Sequence, residues 1–313
     1  MRRLSLATLC CFALSGACSD DKAERSVLSD ASIGDAAQSP AAALDAASSA
    51  VTDSQSASHP LGDAAATVRA DSGSLSVRLP PANGGLDYQL GGAYAPASGV
   101  SIVSRDRHAA PAAGLYNICY VNGLQAQADE ADFWLQQQPD LVLRDNANKP
   151  VIDADWNEML LDVSTADKRT RLAAIVGGWI DGCAQAGFDA VEVDNLDSYA
   201  RSGGRLQMDD AVAFVALLSD RAHRQGLAIA QKNASELVTR KAELGTDFVV
   251  AEECNRYDEC AVYSSGYGEH VLMIEYQRAD FQKGCSQYPS FSMVLRDVDL
   301  VTPSEAKYVF EDC

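Results

Sequence analysis

From residue 84 onward, short apolar runs rich in β-branched residues alternate with longer stretches whose apolar positions recur every three or four residues. The short runs predict strands at 86–90, 100–104, 115–121, 159–163, 190–193, 227–231, 248–251, 271–274 and 292–295. The longer ones predict helices at 130–137, 166–186, 209–225 and 235–242. Within 166–186, Leu172, Ile175, Val176, Trp179, Ile180 and Cys183 recur at helical spacing. Asp209 and Asp210 suit a helix N-terminus, and Gly187 and Gly226 suit helix stops. Strand–helix alternation implies a parallel sheet, and the length suits a TIM-type (β/α)8 barrel of ~250 residues. Nine strand candidates for eight places leave one outside the barrel.

The pattern before residue 84 is different. Arg2 and Arg3 precede an uncharged apolar run over 4–17, which reads as a secretory signal peptide too short to remain as a membrane span. Leu14-Ser15-Gly16-Ala17-Cys18 resembles a bacterial lipobox, which makes Cys18 the candidate lipidation site; plain cleavage near Ala17 is the alternative. Residues 19–83 are dominated by Ala, Ser and Asp and hold no Phe, Tyr or Trp. Such a stretch buries too little apolar surface to offset chain entropy and is expected to be a disordered linker. The chain is thus expected to be exported, as an outer-membrane lipoprotein or a secreted protein. It would touch a membrane only through that anchor and act as a monomer.

Charge narrows the partners. Residues 84–313 carry 19 Lys and Arg against 35 Asp and Glu, a net charge of −16. Nucleic acid needs a basic footprint and is excluded; a cationic polymer would be drawn in. Six cysteines remain beyond the signal and lipobox, an even number that suggests disulfides in an exported chain. Cys254 and Cys260 are close enough to staple one loop, and Cys285 with Cys313 is a second candidate pair. No CxxC occurs and the four histidines are scattered, so neither a metal nor a cofactor is expected. The acidic run from Asp153 to Glu158 lacks the glycine and glutamate of an EF-hand. No GxSxG or GxGxxG is present.

Chemistry gathers where the apolar strands end. Val193 leads into Asp194-Asn195, Gln231 into Lys232-Asn233, Ala251 into Glu252-Glu253, Ile274 into Glu275-Tyr276, and Cys119 into Tyr120. Functional groups of a TIM barrel converge at the strand C-termini. Asp194 and Glu252 would supply the two carboxyl groups that glycoside cleavage requires. The rival readings are a non-catalytic polysaccharide-binding barrel, which needs no such pair, and a metal-dependent hydrolase or deacetylase.

An ordered set of motifs resembles glycoside hydrolase family 114, whose members are endo-α-1,4-polygalactosaminidases. It comprises Tyr116-Asn117-Ile118-Cys119-Tyr120, Leu161-Asp162-Val163, the run from Gly187 to Tyr199, Gln231-Lys232-Asn233, Ala251-Glu252-Glu253-Cys254 with Tyr257-Asp258-Glu259-Cys260, and Ile274-Glu275-Tyr276. The resemblance covers about 87–276. It implies a TIM-barrel-like fold and endo-hydrolysis of partly deacetylated α-1,4-galactosamine polymers such as biofilm exopolysaccharides. The aspartate of the family's Asp-Pro-Asp-Asn segment falls on Asp194, the implied nucleophile of a retaining mechanism, and its strand-end glutamate falls on Glu252, the implied acid/base. Glu192 and Val193 stand where that segment has aspartate and proline. The candidate substrate-binding residues are Asp87, Tyr120, Asp155, Trp156, Asn195, Asp197, Tyr199, Lys232, Asn233, Glu253, Tyr257, Glu275 and Tyr276.

Overall fold

A computed structural model describes residues 76–313. The signal peptide, Cys18 and residues 19–75 of the linker lie outside the described residues. In chain order the strands begin with β1 (Gly85–Gln89), β2 (Val100–Asp106), β3 (Tyr116–Asn122) and β4 (Gln125–Ala126). Then come β5 (Ile152–Asp153), β6 (Glu158–Leu160), β7 (Ala190–Asp194) and β8 (Ala228–Lys232). The last are β9 (Phe248–Glu252), β10 (Val271–Glu275), β11 (Ser292–Arg296) and β12 (Phe310–Asp312). The helices are α1 (Ala131–Gln137), α2 (Ala166–Ala186), α3 (Ser198–Arg201), α4 (Met208–Arg224), α5 (Lys241–Leu244), α6 (Cys260–Tyr267) and α7 (Arg278–Gln287).

Eight strands run parallel in the order β1-β2-β3-β7-β8-β9-β10-β11, and β12 adds antiparallel to β11. Arg296 stitches β11 to β1: its buried guanidinium donates to the Tyr88 carbonyl and lies 3.3 Å from Asp87 Oδ1. This is a TIM-type barrel, with helices outside it and two crossovers, β1 to β2 and β2 to β3, that contain none. The predicted strand at 159–163 is the one that falls outside. Only Glu158–Leu160 is extended there, and it pairs antiparallel with both β4 and β5 in a three-stranded side sheet. Its apolar run is the same in kind as a barrel strand's, so composition alone does not separate them.

The strands alternate strictly. Even-numbered residues such as Leu86, Ile102, Ile118, Ala190, Ala230, Val250, Ile274 and Val294 form the core inside the barrel. Odd-numbered ones such as Cys119, Val191, Ile229, Val249, Met273 and Leu295 pack in the layers between sheet and helices. α2 begins at Thr165, whose hydroxyl caps Lys168 N–H, and ends at Gly187, whose φ of 92° needs a residue without Cβ. Its buried face carries Cys183, which is disulfide-bonded to Cys119 of β3. The other bridges are Cys254–Cys260 and Cys285–Cys313.

Residues 76–83, expected to belong to the linker, are ordered. Val77 and Leu79 pack on the barrel core, Arg78 pairs with Asp189, and the Tyr116 hydroxyl donates 2.7 Å to the Arg78 carbonyl. The alternation Val77-Arg78-Leu79 is a two-residue apolar signal too short to stand out in an Ala/Ser background. Among the described residues no helix is long and apolar enough to cross a membrane.

Candidate active site

The even face of the strands that builds the core turns polar at its C-terminal end. Glu192 and Asp194 continue the line of Ala190, Lys232 that of Ala230, Glu252 that of Val250, and Tyr120 that of Ile118. Asn195, Asn233 and Glu253, each directly after its strand, take left-handed φ values of 67°, 48° and 54°. Each turn breaks the strand immediately past the functional side chain, a conformation that non-glycine residues adopt at a cost and that gathers at functional sites.

At the centre is the Lys232 ammonium, buried, 3.1 Å from Asp194 Oδ2, 2.9 Å from Glu252 Oε2 and 3.8 Å from Glu192 Oε1. The legs of 3.1 and 2.9 Å hold those Asp194 and Glu252 oxygens within about 6 Å of each other. Tyr120 donates to Asp194 at 2.9 Å and the Asn195 N–H at 2.6 Å. Tyr276 donates to Glu252 Oε1, Asn233 Nδ2 donates to Oε2 at 3.1 Å, and the Glu252 N–H donates back to Asn233 Oδ1 at 2.8 Å. One layer deeper, Tyr88 and Ser104 donate to Glu192 at 2.5 and 2.8 Å.

Burial would raise the Asp194 carboxyl. The Lys232 charge, with the Asn195 N–H and the Tyr120 hydroxyl, overcomes that and holds it below the usual carboxylate range. For Glu192 burial wins, pushing it up to about 7 against Lys232. Burial likewise works against the Lys232 charge, but its three carboxylate neighbours hold the ammonium above its ordinary value. An acceptor kept ionised next to a second carboxyl with its own donors is an arrangement able to divide nucleophile and acid roles.

These groups floor a cavity of about 380 Å³ whose walls include Trp156, Glu158, Asp197 and Arg201. It shares Leu90, Gly91, Asp106 and Gln127 with a second cavity of about 390 Å³ that reaches His108 and Asp129. The sequence profile of glycoside-hydrolase family GH114 matches residues 65–313. The chain belongs to family GH114. It is therefore a glycosidase. The crystal structure of Ega3 from Aspergillus fumigatus in complex with galactosamine is similar to this GH114 chain, with a TM-score of 0.61 and 24% identity, covering 76% of this chain and 98% of that one. A variant of the glycoside hydrolase domain of PelA from Pseudomonas aeruginosa gives 0.51 and 15%, covering 72% and 97%. At these identities the likeness speaks for the fold. Comparison with curated protein sequences gives no match.

Of the residues singled out in the sequence, this GH114 barrel brings together Asp194, Glu252, Tyr120, Trp156, Asn195, Asp197, Lys232, Asn233 and Tyr276 on the cavity. It places the others elsewhere. Asp87 and Glu275 have odd parity: Asp87 is bound by Gln89, Tyr94 and Arg296, and Glu275 accepts from the Asn255 N–H at 2.9 Å beside the Cys254–Cys260 bridge. Glu253 turns away to Arg256, under which Tyr257 lies exposed. Tyr199 donates to Glu236, and Asp155 sits in an exposed turn. The sequence reading passed over Glu158, Asp106, Gln127 and Arg201. Cys254, Cys260 and Glu275 cluster closely enough for metal ligation, but both sulfurs are spent in the disulfide and offer no thiolate.

Glu275 has a measurable consequence. Its Oε2 is buried without a partner, and burial, reinforced by Asp280 and Glu253, pushes the carboxyl up to about 7 despite the Asn255 N–H. A raised carboxyl stabilises the fold fully below the unfolded value near 4.5 and loses that contribution as pH climbs through 7. Glu275→Gln keeps the carbonyl that Asn255 needs and sheds the charge. It should melt above the parent at pH 8, by about 1–2 kcal/mol, and show no gain at pH 4.5. Thermal melts at both pH values check this; an equal shift at both would assign the effect to packing.

Proposed function

We propose that the protein is an endo-acting hydrolase of α-1,4-linked galactosamine and N-acetylgalactosamine polymers, with Asp194 as nucleophile and Glu252 as acid/base. The observation that carries this reading is the shared Lys232, which holds one oxygen of each carboxyl group within about 6 Å of the other. That limit on one oxygen pair accommodates the ~5–5.5 Å carboxyl separation of retaining enzymes.

Asp194, kept ionised, attacks the anomeric carbon while Glu252 gives its proton to the leaving oxygen. The covalent intermediate removes the Asp194 charge. Glu252, left without its proton, is then the carboxylate base that activates water, with the Lys232 ammonium 2.9 Å from its Oε2. A single ammonium thereby serves both half-reactions.

Three further features support the substrate. Ega3, similar in fold, has been crystallised with galactosamine. The domain's net charge of −16 would attract a polycation. The linked cavities supply length for several sugar units, as endo action requires. Three disulfides suit an oxidising compartment and agree with export by the 1–18 signal, with Cys18 as lipid anchor. Incubation with partly deacetylated α-1,4-galactosamine polymer should release new reducing ends and short oligomers, read by reducing-sugar assay and mass spectrometry. Binding without new ends would instead mark a carbohydrate-holding barrel.

A further inference from the structure

The carboxylates that line the cleft are not equivalent. Asp194 and Glu252 are served by Lys232, Asp197 by both guanidinium nitrogens of Arg201 at 2.7 and 2.8 Å, and Asp299 by Lys307 at 2.5 Å. Among the described residues Glu158 and Asp106 have no Lys, Arg or His nitrogen within 4.0 Å, and Asp106 already accepts from the His108 N–H at 2.8 Å at the passage to the second cavity. Glu158 is the one beside the reaction centre. It opens β6 of the side sheet, projects into the cavity that contains Asp194, and is held by Asn122 Nδ2 at 2.8 Å on Oε2. Asn122 in turn accepts from Asn195 at 3.0 Å, so the aim of Glu158 is set from the end of β7.

A half-buried carboxylate that faces the cavity with no cationic nitrogen of the described residues within 4.0 Å is electrostatically incomplete. Burial, with the Asp194 and Asp153 charges, pushes it up to about 7, against Asn122 and Arg201. A ligand cation completes it through a charge-assisted hydrogen bond, roughly twice as strong as a neutral one. An acetamido group is neutral and brings no such bond.

We infer that Glu158 recognises the ammonium group of a deacetylated galactosamine unit next to the cleavage point and so makes the enzyme prefer deacetylated stretches. This rests on the proposed galactosamine-polymer activity. Glu158 is a specificity determinant, supplied by the side sheet.

The test compares kcat/KM on defined α-1,4 oligomers, fully deacetylated and fully acetylated, for the parent, Glu158→Gln and Glu158→Asp. The parent should favour the deacetylated oligomer. Glu158→Gln should reduce that preference tenfold or more, chiefly through KM, and Glu158→Asp should recover part of it. Thermal melts establish that each variant is folded. If the parent cuts the oligomers but the Gln variant keeps the preference, or loses on both substrates equally, the role of Glu158 is refuted while the activity stands. If the parent cuts neither, the underlying activity fails. A Gln variant that does not fold is replaced by Glu158→Asp, whose unaltered preference and KM would equally refute the role.

Discussion

Asp194→Asn should cut no polymer: we expect kcat to fall on the order of 10⁴-fold or more, the scale on which loss of a covalent nucleophile is felt. The amide is isosteric and keeps an oxygen for the Asn195 N–H, while its NH2 takes the place of the oxygen that faces Lys232 and can donate to the Tyr120 hydroxyl, so the fold should survive. A reducing-end assay beside a thermal melt separates lost chemistry from lost structure. Azide sharpens the assignment. Asp194→Ala leaves room for azide on the nucleophile's side of the anomeric carbon, and attack there on an α-linked substrate gives a β-glycosyl azide. Glu252→Ala should instead yield the α-glycosyl azide, because Asp194 still forms the intermediate and azide replaces water in the second step. Undiminished cutting by Asp194→Asn, or the opposite anomers, would overturn the roles.

Lys232→Met should change both the pH profile and the stability. Removing the ammonium leaves Glu192, Asp194 and Glu252 crowded at a buried point without a counter-charge. Lys232 is a principal cause of the depressed Asp194 carboxyl, so its loss raises that group toward and beyond the usual range. The nucleophile must be ionised, and the acid limb of kcat/KM should therefore move to higher pH by about a unit or more, with kcat down on the order of 10²-fold. Breaking a buried charge group by removing one partner costs roughly 3–5 kcal/mol. The variant should melt well below the parent at pH 7, and the gap should narrow toward pH 5 as the carboxyls take up protons. An unmoved acid limb would show that Lys232 does not tune Asp194.

The same alternation explains what was and was not legible in the chain. The barrel strands stood out because each is a continuous apolar run, the signature of a parallel sheet buried on both faces. Yet continuous burial hides which parity faces inward, and that parity separates the functional from the structural carboxylates. Glu252 faces the cleft because Val250 faces the core; Glu275, one residue later on its own strand, follows Met273 outward. Asp87 departs for the same reason. Asp106 was within reach of this rule, two residues beyond Ser104 and four beyond Ile102. Glu158 was not, because it is carried by a three-residue strand outside the barrel, where no strand-end pattern applies.

The side sheet gives the enzyme two mechanical parts. The groups proposed to break the bond ride on strands locked into the barrel ladder, whereas Glu158 and Trp156 ride on a short hairpin attached between β3 and α2. With Glu158 as the proposed selector, exchanging that hairpin should change which polymer is chosen while the strand-end groups stay in place, a separation that lends itself to grafting.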